Sequence, residues 1–307
     1  MSIGISLTAS GQADNYVDAI VEQARTAAAA GIRTGWLGQR LDYDAAALAT
    51  LVGREVPELH VGTSAIPIFA RHPLLVSSQA QTAQAATHGH FHLGLALGSR
   101  FLVEDMFGLP FERPVALLRE FLTALDGLLD GGETAFRGER LTAAPTLPVT
   151  VAGAQPRVPV LVAAMGPKAL QVTGELADGT LPYLASPRVL GEHLVPTITK
   201  AAEQANRPAP RIIAFVGGTV TDDVDAVREK ALRDMAFYDQ IPSYQRVVSL
   251  AGATRAGELA VIGDEKHVAN AVRSYFDAGA TEVVFTQTEL SSPEDQRRTF
   301  DVLGGLA

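Results

Sequence analysis

The chain has 307 residues, 47% hydrophobic and 19% charged, which describes an ordinary globular protein able to bury a large core. Length alone suggests about two domains, but α/β barrels of this size commonly form one, and with no linker in the chain a single domain over 1–307 is expected. A net charge of −9 argues against nucleic-acid and anionic-membrane surfaces, and the lack of cysteine excludes disulfides, thiolate metal sites and thiol nucleophiles.

The N-terminal MSIGISLTASGQADN has no Lys or Arg and no extended apolar core, and no run approaches the ~18 apolar residues of a membrane span. A cytoplasmic protein is the expectation. The first strand falls near 3–8; the ISLTASGQ around its end has no G-x-G-x-x-G, which argues against a dinucleotide-binding open sheet. A helix near 14–30 follows, with Asp14 at its N-cap and Gly31 as its stop, then a strand near 34–38 and a helix near 43–54 capped by Asp42. Strand 59–65, helix 73–87, strand 91–97 and helix 113–130 continue the alternation. Residues 131–158 form a Gly- and Pro-rich excursion in which TAFRGERLT reads as a small hairpin. Strand 159–164, helix 167–177, strand 179–184, helix 187–205, strand 211–217 and helix 222–239, capped by Asp222, come next. A loop at 240–258, a helix near 265–278 stopped by Gly279, strand 282–287 and helix 294–303 complete the chain. Eight strands alternating with helices predict an α/β fold, the (β/α)8 TIM barrel, with insertions before strand five and before strand eight.

The most informative stretch is PVLVAAMGPKALQVTGELADGTLPYLASP at 159–187, because it packs strand, turn, helix and second strand into one run. At Ala164-Met165-Gly166-Pro167 the helix start offers unpaired N–H groups and the positive end of its dipole, and Lys168 adds a cation. Phosphate binding is one reading of that turn. A plain strand-to-helix connection looks much the same.

VAAMGPKAL and GELADGTLPYL resemble the strand-five to strand-six region of the luciferase-like monooxygenase superfamily. GTSAIPIFARHP (62–73), HFHLGLALGSR (90–100), FGLPFERPVALLREFLTALDGLL (107–129) and LAVIGDEKHVANAVRSYFDAGATEVVF (259–285) follow in the family's order, so the likeness covers essentially the whole chain. It is nearest to the branch that uses the deazaflavin coenzyme F420. The resemblance implies an oxidoreductase moving a hydride between F420 and a small organic substrate, with FMN as the alternative cofactor, and a homodimer.

It also implies site residues. The third strand ends in Thr63, Ser64 and Ala65, where the family carries a non-proline cis peptide against the ring, here the Ser64–Ala65 bond. The fourth strand ends in Gly98, Ser99 and Arg100, beside the family's Gly-rich turn; Ala96 stands where glycine is usual. The turn at Ala164, Met165, Gly166 and Pro167 would seat the phosphate-bearing tail. Gln39 occupies the position at which sugar-phosphate oxidisers of the branch carry histidine. A glutamine hydrogen-bonds but relays no proton at neutral pH, which disfavours that alcohol-oxidising machinery and leaves a reductase as the expectation. No catalytic residue is assigned.

Several other residues have two readings. Arg71 and His72 stand near the ring or, for His72, cap a helix. His88, His90 and His92 alternate along a strand start, but at the end of a barrel associated with stability, so no metal is expected. Asp178 makes the turn into strand six, and Tyr183 faces the cavity or packs in the wall. Two further readings compete: a phosphate-binding barrel without redox chemistry, for which no strand end supplies a lysine or carboxylate base, and a non-catalytic flavin-binding barrel.

Overall fold

In the computed structural model, residues 1–9, 13–131 and 135–307 are described. The backbone divides into two compact units: Met1–Trp36 with Leu181–Thr197 and Arg211–Ala307, and Leu37–Thr180 with Ile198–Pro210. Eight strands in βα succession make the fold class α/β, the (β/α)8 TIM barrel expected from the sequence. Among the described residues no helix is long and apolar enough to cross a membrane.

In the first unit the first strand, Ser2–Ser6, lies between the second, Thr34–Leu37, and the eighth, Glu282–Thr286, which in turn pairs with the seventh, Arg211–Val220. All three pairings are parallel, with Gly4 opposite both Thr34 and Val284. Every residue of the eighth strand is buried, the pattern of a strand covered on both faces. Helix Glu265–Asp277 turns Val268, Val272 and Tyr275 inward at helical spacing, and Asp264 caps it by accepting from the His267 N–H at 2.7 Å.

In the second unit the third strand, His60–Thr63, pairs in parallel with the fourth, Phe91–Ala96, the fourth with the fifth, Val160–Ala163, and the fifth with the sixth, Gly179–Thr180. The expected third strand is interrupted at Ser64–Ala65 and resumes as Ile66–Pro67, with Ile66 opposite Leu95. The hairpin forms between Phe136–Arg137 and Thr142–Ala143; its first expected residue, Thr134, lies outside the described residues. Glu120 holds it, its carboxylate accepting from the N–H groups of Glu139, Arg140 and Leu141.

Several expectations are corrected. The helix caps are Asn15, Asp44 and Asp223 in place of Asp14, Asp42 and Asp222. Asn15 accepts from the Val17 and Asp18 N–H groups and Asp44 from Ala47, whereas Asp42 is chelated by Arg40 and Asp222 pairs with Arg298. The sixth strand stops at Thr180, because Pro182 has no N–H to continue a ladder. The seventh runs on to Val220, and Val261–Gly263 forms a further parallel strand beside it. The segment 240–258 is no loop: it contains helix Pro242–Leu250, started by proline and anchored by buried Val247 and Val248. A π-helical turn, Phe101–Met106, also stands where no element is expected. Gly31 and Gly279 do end their helices, with φ of +97° and +99°.

Candidate functional site

A cavity of about 560 Å³ lies within the second unit, a size that suits a tricyclic ring or a small organic molecule. Its apolar wall comes from Ala65, Pro67, Ala96, Gly98, Leu102 and Phe107, at the C-terminal ends of the third and fourth strands and on the π-helical turn. Chemistry in a TIM barrel is carried by that end of the strands. The polar side is the loop 39–44 after the second strand, together with Arg71.

Gln39 organises that loop. Its Nε2 donates to the carbonyls of Arg40 (2.5 Å) and Tyr43 (2.6 Å), and its Oε1 accepts from Arg71 Nη2 (3.1 Å) and the Ala45 N–H (3.3 Å). Two donors and two lone pairs are the full capacity of a carboxamide, so Gln39 has nothing left for a ligand and acts as the loop's internal clamp. Arg40 and Asp42 close on each other through two parallel bonds of 2.9 Å. Asp44 divides its carboxylate between the Ala47 N–H at 2.9 Å and Arg71 Nη2 at 3.4 Å.

Of the sequence candidates, Gln39, Ala65 and Gly98 line this cavity, and Thr63, Ser64, Ser99, Arg100 and the turn 164–167 do not. The Ser64–Ala65 peptide is cis. Thr63 is fully buried and spends its hydroxyl on the sheet, donating to the Gly94 carbonyl and accepting from the Gly94 N–H, both at 2.9 Å. Ser99 accepts from the Leu102 N–H at 3.2 Å, which starts the π-helical turn. Arg100 extends along that turn: it pairs with Glu104 and lies 5.3 Å from the Phe111 ring centre, with 65% of its side chain exposed. Arg100 is not among the residues that line the cavity.

The turn 164–167 forms a second feature of the same unit. Gly166 is the N-cap of helix Pro167–Leu176 with no side-chain cap, and a Cβ added to it meets nothing within 4 Å. The helix start thus has no side-chain cap and open space beside Gly166, a setting that suits an anionic group. Ala164 is buried, and its carbonyl accepts from the Thr180 hydroxyl at 3.1 Å.

The residues with two readings resolve. His72 caps helix Pro73–Ala86, its Nδ1 accepting from the Leu74 N–H at 3.2 Å while Nε2 lies 2.9 Å from the Thr142 carbonyl. Asp178 is structural: it accepts from the Val160 N–H at 2.7 Å and from Arg207 at 3.0 Å. His60 and His90 stack at 4.1 Å, and His88 meets Arg54 at 3.0 Å; among the described residues no group of three or more His, Cys, Asp or Glu is placed to hold a metal. In the first unit, Tyr183 packs edge-on against Tyr238 and Tyr244 and donates to Gln287 Oε1 at 2.9 Å. Burial above all, then the neighbouring phenols, raises the Tyr183 pKa well above the usual tyrosine value, so the hydroxyl stays a donor. Besides Gln39, the whole loop 40–44 lines the cavity, as do Pro67, Leu102 and Phe107, none of which the sequence marks as a site residue. The D-Y-D run is legible as a cap signal, though its second aspartate does the capping.

Comparison with known proteins follows the same lines. The family described as luciferase-like monooxygenase matches residues 1–298. An uncharacterized protein of Mycobacterium tuberculosis is 29% identical over 234 residues, 72% of this chain and 68% of that one. The 5,10-methylenetetrahydromethanopterin reductase of Methanolobus tindarius is 24% identical over 213 residues, 69% of this chain and 64% of the reductase. Among solved structures, an F420-dependent secondary alcohol dehydrogenase in complex with an F420-acetone adduct superposes with a TM-score of 0.83 at 17% identity, covering 100% of this chain and 98% of the other. The oxygenating constituent of 3,6-diketocamphane monooxygenase from Pseudomonas putida, in complex with FMN, superposes with a TM-score of 0.77 at 12% identity, covering 99% and 97%. At such identities these structures speak to the fold alone.

Proposed function

The chain belongs to the luciferase-like monooxygenase family, and on that premise we propose that it is an F420-dependent oxidoreductase that reduces a small organic substrate. The observation that carries the cofactor reading is the pairing, within one unit, of an apolar-walled cavity with an uncapped helix start. Ala65, Pro67, Ala96 and Gly98 would bear on the ring, and the backbone N–H groups of Met165 and Gly166, ahead of Pro167 at the helix start, would hold the phosphate-bearing tail. F420, when bound, supplies hydride chemistry at its deazaflavin carbon, and the protein's part is to position it and keep water out. The dehydrogenase structure supports F420 by its name. Gln39, saturated by its own loop, has no proton to relay, which favours the reductive direction.

Titration of the purified protein with F420 and FMN tests the cofactor, and turnover under strict anaerobiosis tests the chemistry. F420 is expected to bind and activity to persist without oxygen; tight FMN binding with oxygen-dependent product formation overturns the assignment in favour of a monooxygenase. Gly166→Val sharpens the test. Gly166 has φ −80° and ψ 145°, which valine adopts readily, so the variant should fold while its side chain fills the space before the helix start. The F420 dissociation constant is expected to rise about tenfold, ~1.4 kcal/mol, and an unchanged value removes this turn from the site.

We also infer a homodimer. Phe101, Met106 and Leu109 leave 52%, 50% and 37% of their surface exposed on one short segment of the second unit, an apolar surface of the kind that association covers. Sedimentation across a hundredfold concentration range should show a dimer mass, and a monomer throughout refutes it.

A further inference from the structure

The chemical class of substrate can be read from which polar groups of the cavity are already spent. Gln39 makes all four of its bonds internally, Arg40 and Asp42 satisfy each other, and Asp44 is divided between a helix cap and Arg71. Arg71 is different. Its guanidinium carries five N–H donors, and the bonds it makes, to Gln39 Oε1 at 3.1 Å and Asp44 Oδ2 at 3.4 Å, both come from Nη2. Among the described residues no partner takes the protons of Nε or Nη1. The side chain is 21% exposed, so it is held in the wall and still reachable.

We propose that Arg71 is the acceptor-binding residue of the cavity and that the molecule it receives is neutral, largely apolar, and marked by one carbonyl oxygen. An unspent, half-desolvated N–H pair calls for an oxygen acceptor, because a donor left without a partner costs more than a bond made returns. Charge then selects the kind of oxygen: the lining holds Arg40 and Arg71 against Asp42 and Asp44, a net of zero, and Asp44 already compensates Arg71. A carboxylate arriving at Arg71 would meet the Asp44 carboxylate as well, whereas a ketone or enone oxygen would not. Beyond the part of the wall assigned to the ring, Leu41, Leu102 and Phe107 offer apolar surface to the rest of the molecule, with Tyr43 the one further lining side chain that carries a polar atom. This deepens the oxidoreductase reading, on which it rests for the use made of the bound carbonyl.

The probes are 2-cyclohexen-1-one and cyclohex-1-ene-1-carboxylate, of the same ring size and differing in charge, with dissociation constants measured by ligand-observed NMR on the intact protein. Wild type is expected to bind the ketone at least tenfold more tightly than the carboxylate. Arg71→Met should weaken the ketone about tenfold, with Arg71→Lys restoring part of the loss. Asp44→Asn keeps the oxygen that caps the helix but removes the charge beside Arg71, and should shift the preference toward the carboxylate about tenfold; an unshifted preference in that variant overturns the proposal even if Arg71→Met fails to fold. Preference of wild type for the carboxylate, no saturable binding of the ketone, or a ketone affinity indifferent to Arg71 in a folded variant overturns it as well. F420 affinity, followed by coenzyme fluorescence on the same samples, separates the two readings: loss of F420 binding with Arg71-dependent ketone binding intact would sink the cofactor assignment and leave this inference standing.

Discussion

Glu282→Ala is expected to lower the stability of the protein by about 3–5 kcal/mol, the cost of breaking a buried ion pair from one side. The Glu282 side chain is 2% exposed, at the start of the eighth strand, and accepts from Thr34 Oγ1 at 2.6 Å, Trp36 Nε1 at 2.9 Å and Arg211 Nη2 at 3.1 Å. These three partners come from the second and seventh strands, so a single carboxylate serves strands that are distant in sequence. Gly4 belongs to the same node, since a Cβ there would lie 2.0 Å from Thr34 Oγ1. Removing the carboxylate takes the acceptor from the Thr34 hydroxyl in the buried core and leaves Trp36 Nε1 to its longer bond with Thr34 Oγ1 at 3.2 Å. Arg211, 32% exposed, relaxes outward and suffers less. Glu282→Gln, which keeps two acceptor lone pairs without the charge, should lose about half as much. Equilibrium urea unfolding monitored by Trp36 fluorescence measures both; a loss below about 1 kcal/mol for the alanine variant would show that the node is bystander polarity and not a structural anchor.

The order of strands and helices is legible because alternation of β-type runs with Ala-rich helical patterns is a local property. What stays hidden depends on partners far along the chain. Asp42 and Asp44 are equally good caps on paper, and the choice between them is made by Arg40, which chelates the first. Pro242–Leu250 looks like a loop because it contains a proline and two serines and glycine follows it, yet Val247 and Val248 have a buried place to go. The candidate site shows the same division. Its glycine turns and strand ends could be placed from motif and resemblance, and the cavity does gather Gln39, Ala65 and Gly98. That Gln39 is saturated, however, follows from Arg71, 32 positions away, and Arg100, absent from the cavity lining, is engaged by Glu104 and Phe111. Strand ends reveal which residues arrive; hydrogen-bond accounting reveals which of them are free to act.

Gly98→Val carries the largest expected effect on binding, because two requirements meet at one atom. Gly98 has φ +75°, a left-handed conformation that costs an L-residue roughly 1–2 kcal/mol and a β-branched one more. Its missing side chain is also part of the cavity: an added Cβ would lie 3.4 Å from Val103, 3.7 Å from Leu102 and 3.8 Å from Pro67, and Leu102 and Pro67 line the same wall. Valine therefore strains the turn and pushes two methyl groups into space proposed for the ring. The F420 dissociation constant is expected to rise at least a hundredfold, about 2.7 kcal/mol, with a smaller loss of fold stability. Gly98→Ala separates the two causes: it keeps most of the backbone strain but fills far less of the cavity, so stability should fall nearly as much while affinity falls by less than tenfold. Set beside Gly166→Val, the pair probes opposite ends of the coenzyme. If Gly98→Val folds and binds F420 as wild type does, the ring does not lie against this wall, and the cavity is left to the substrate alone.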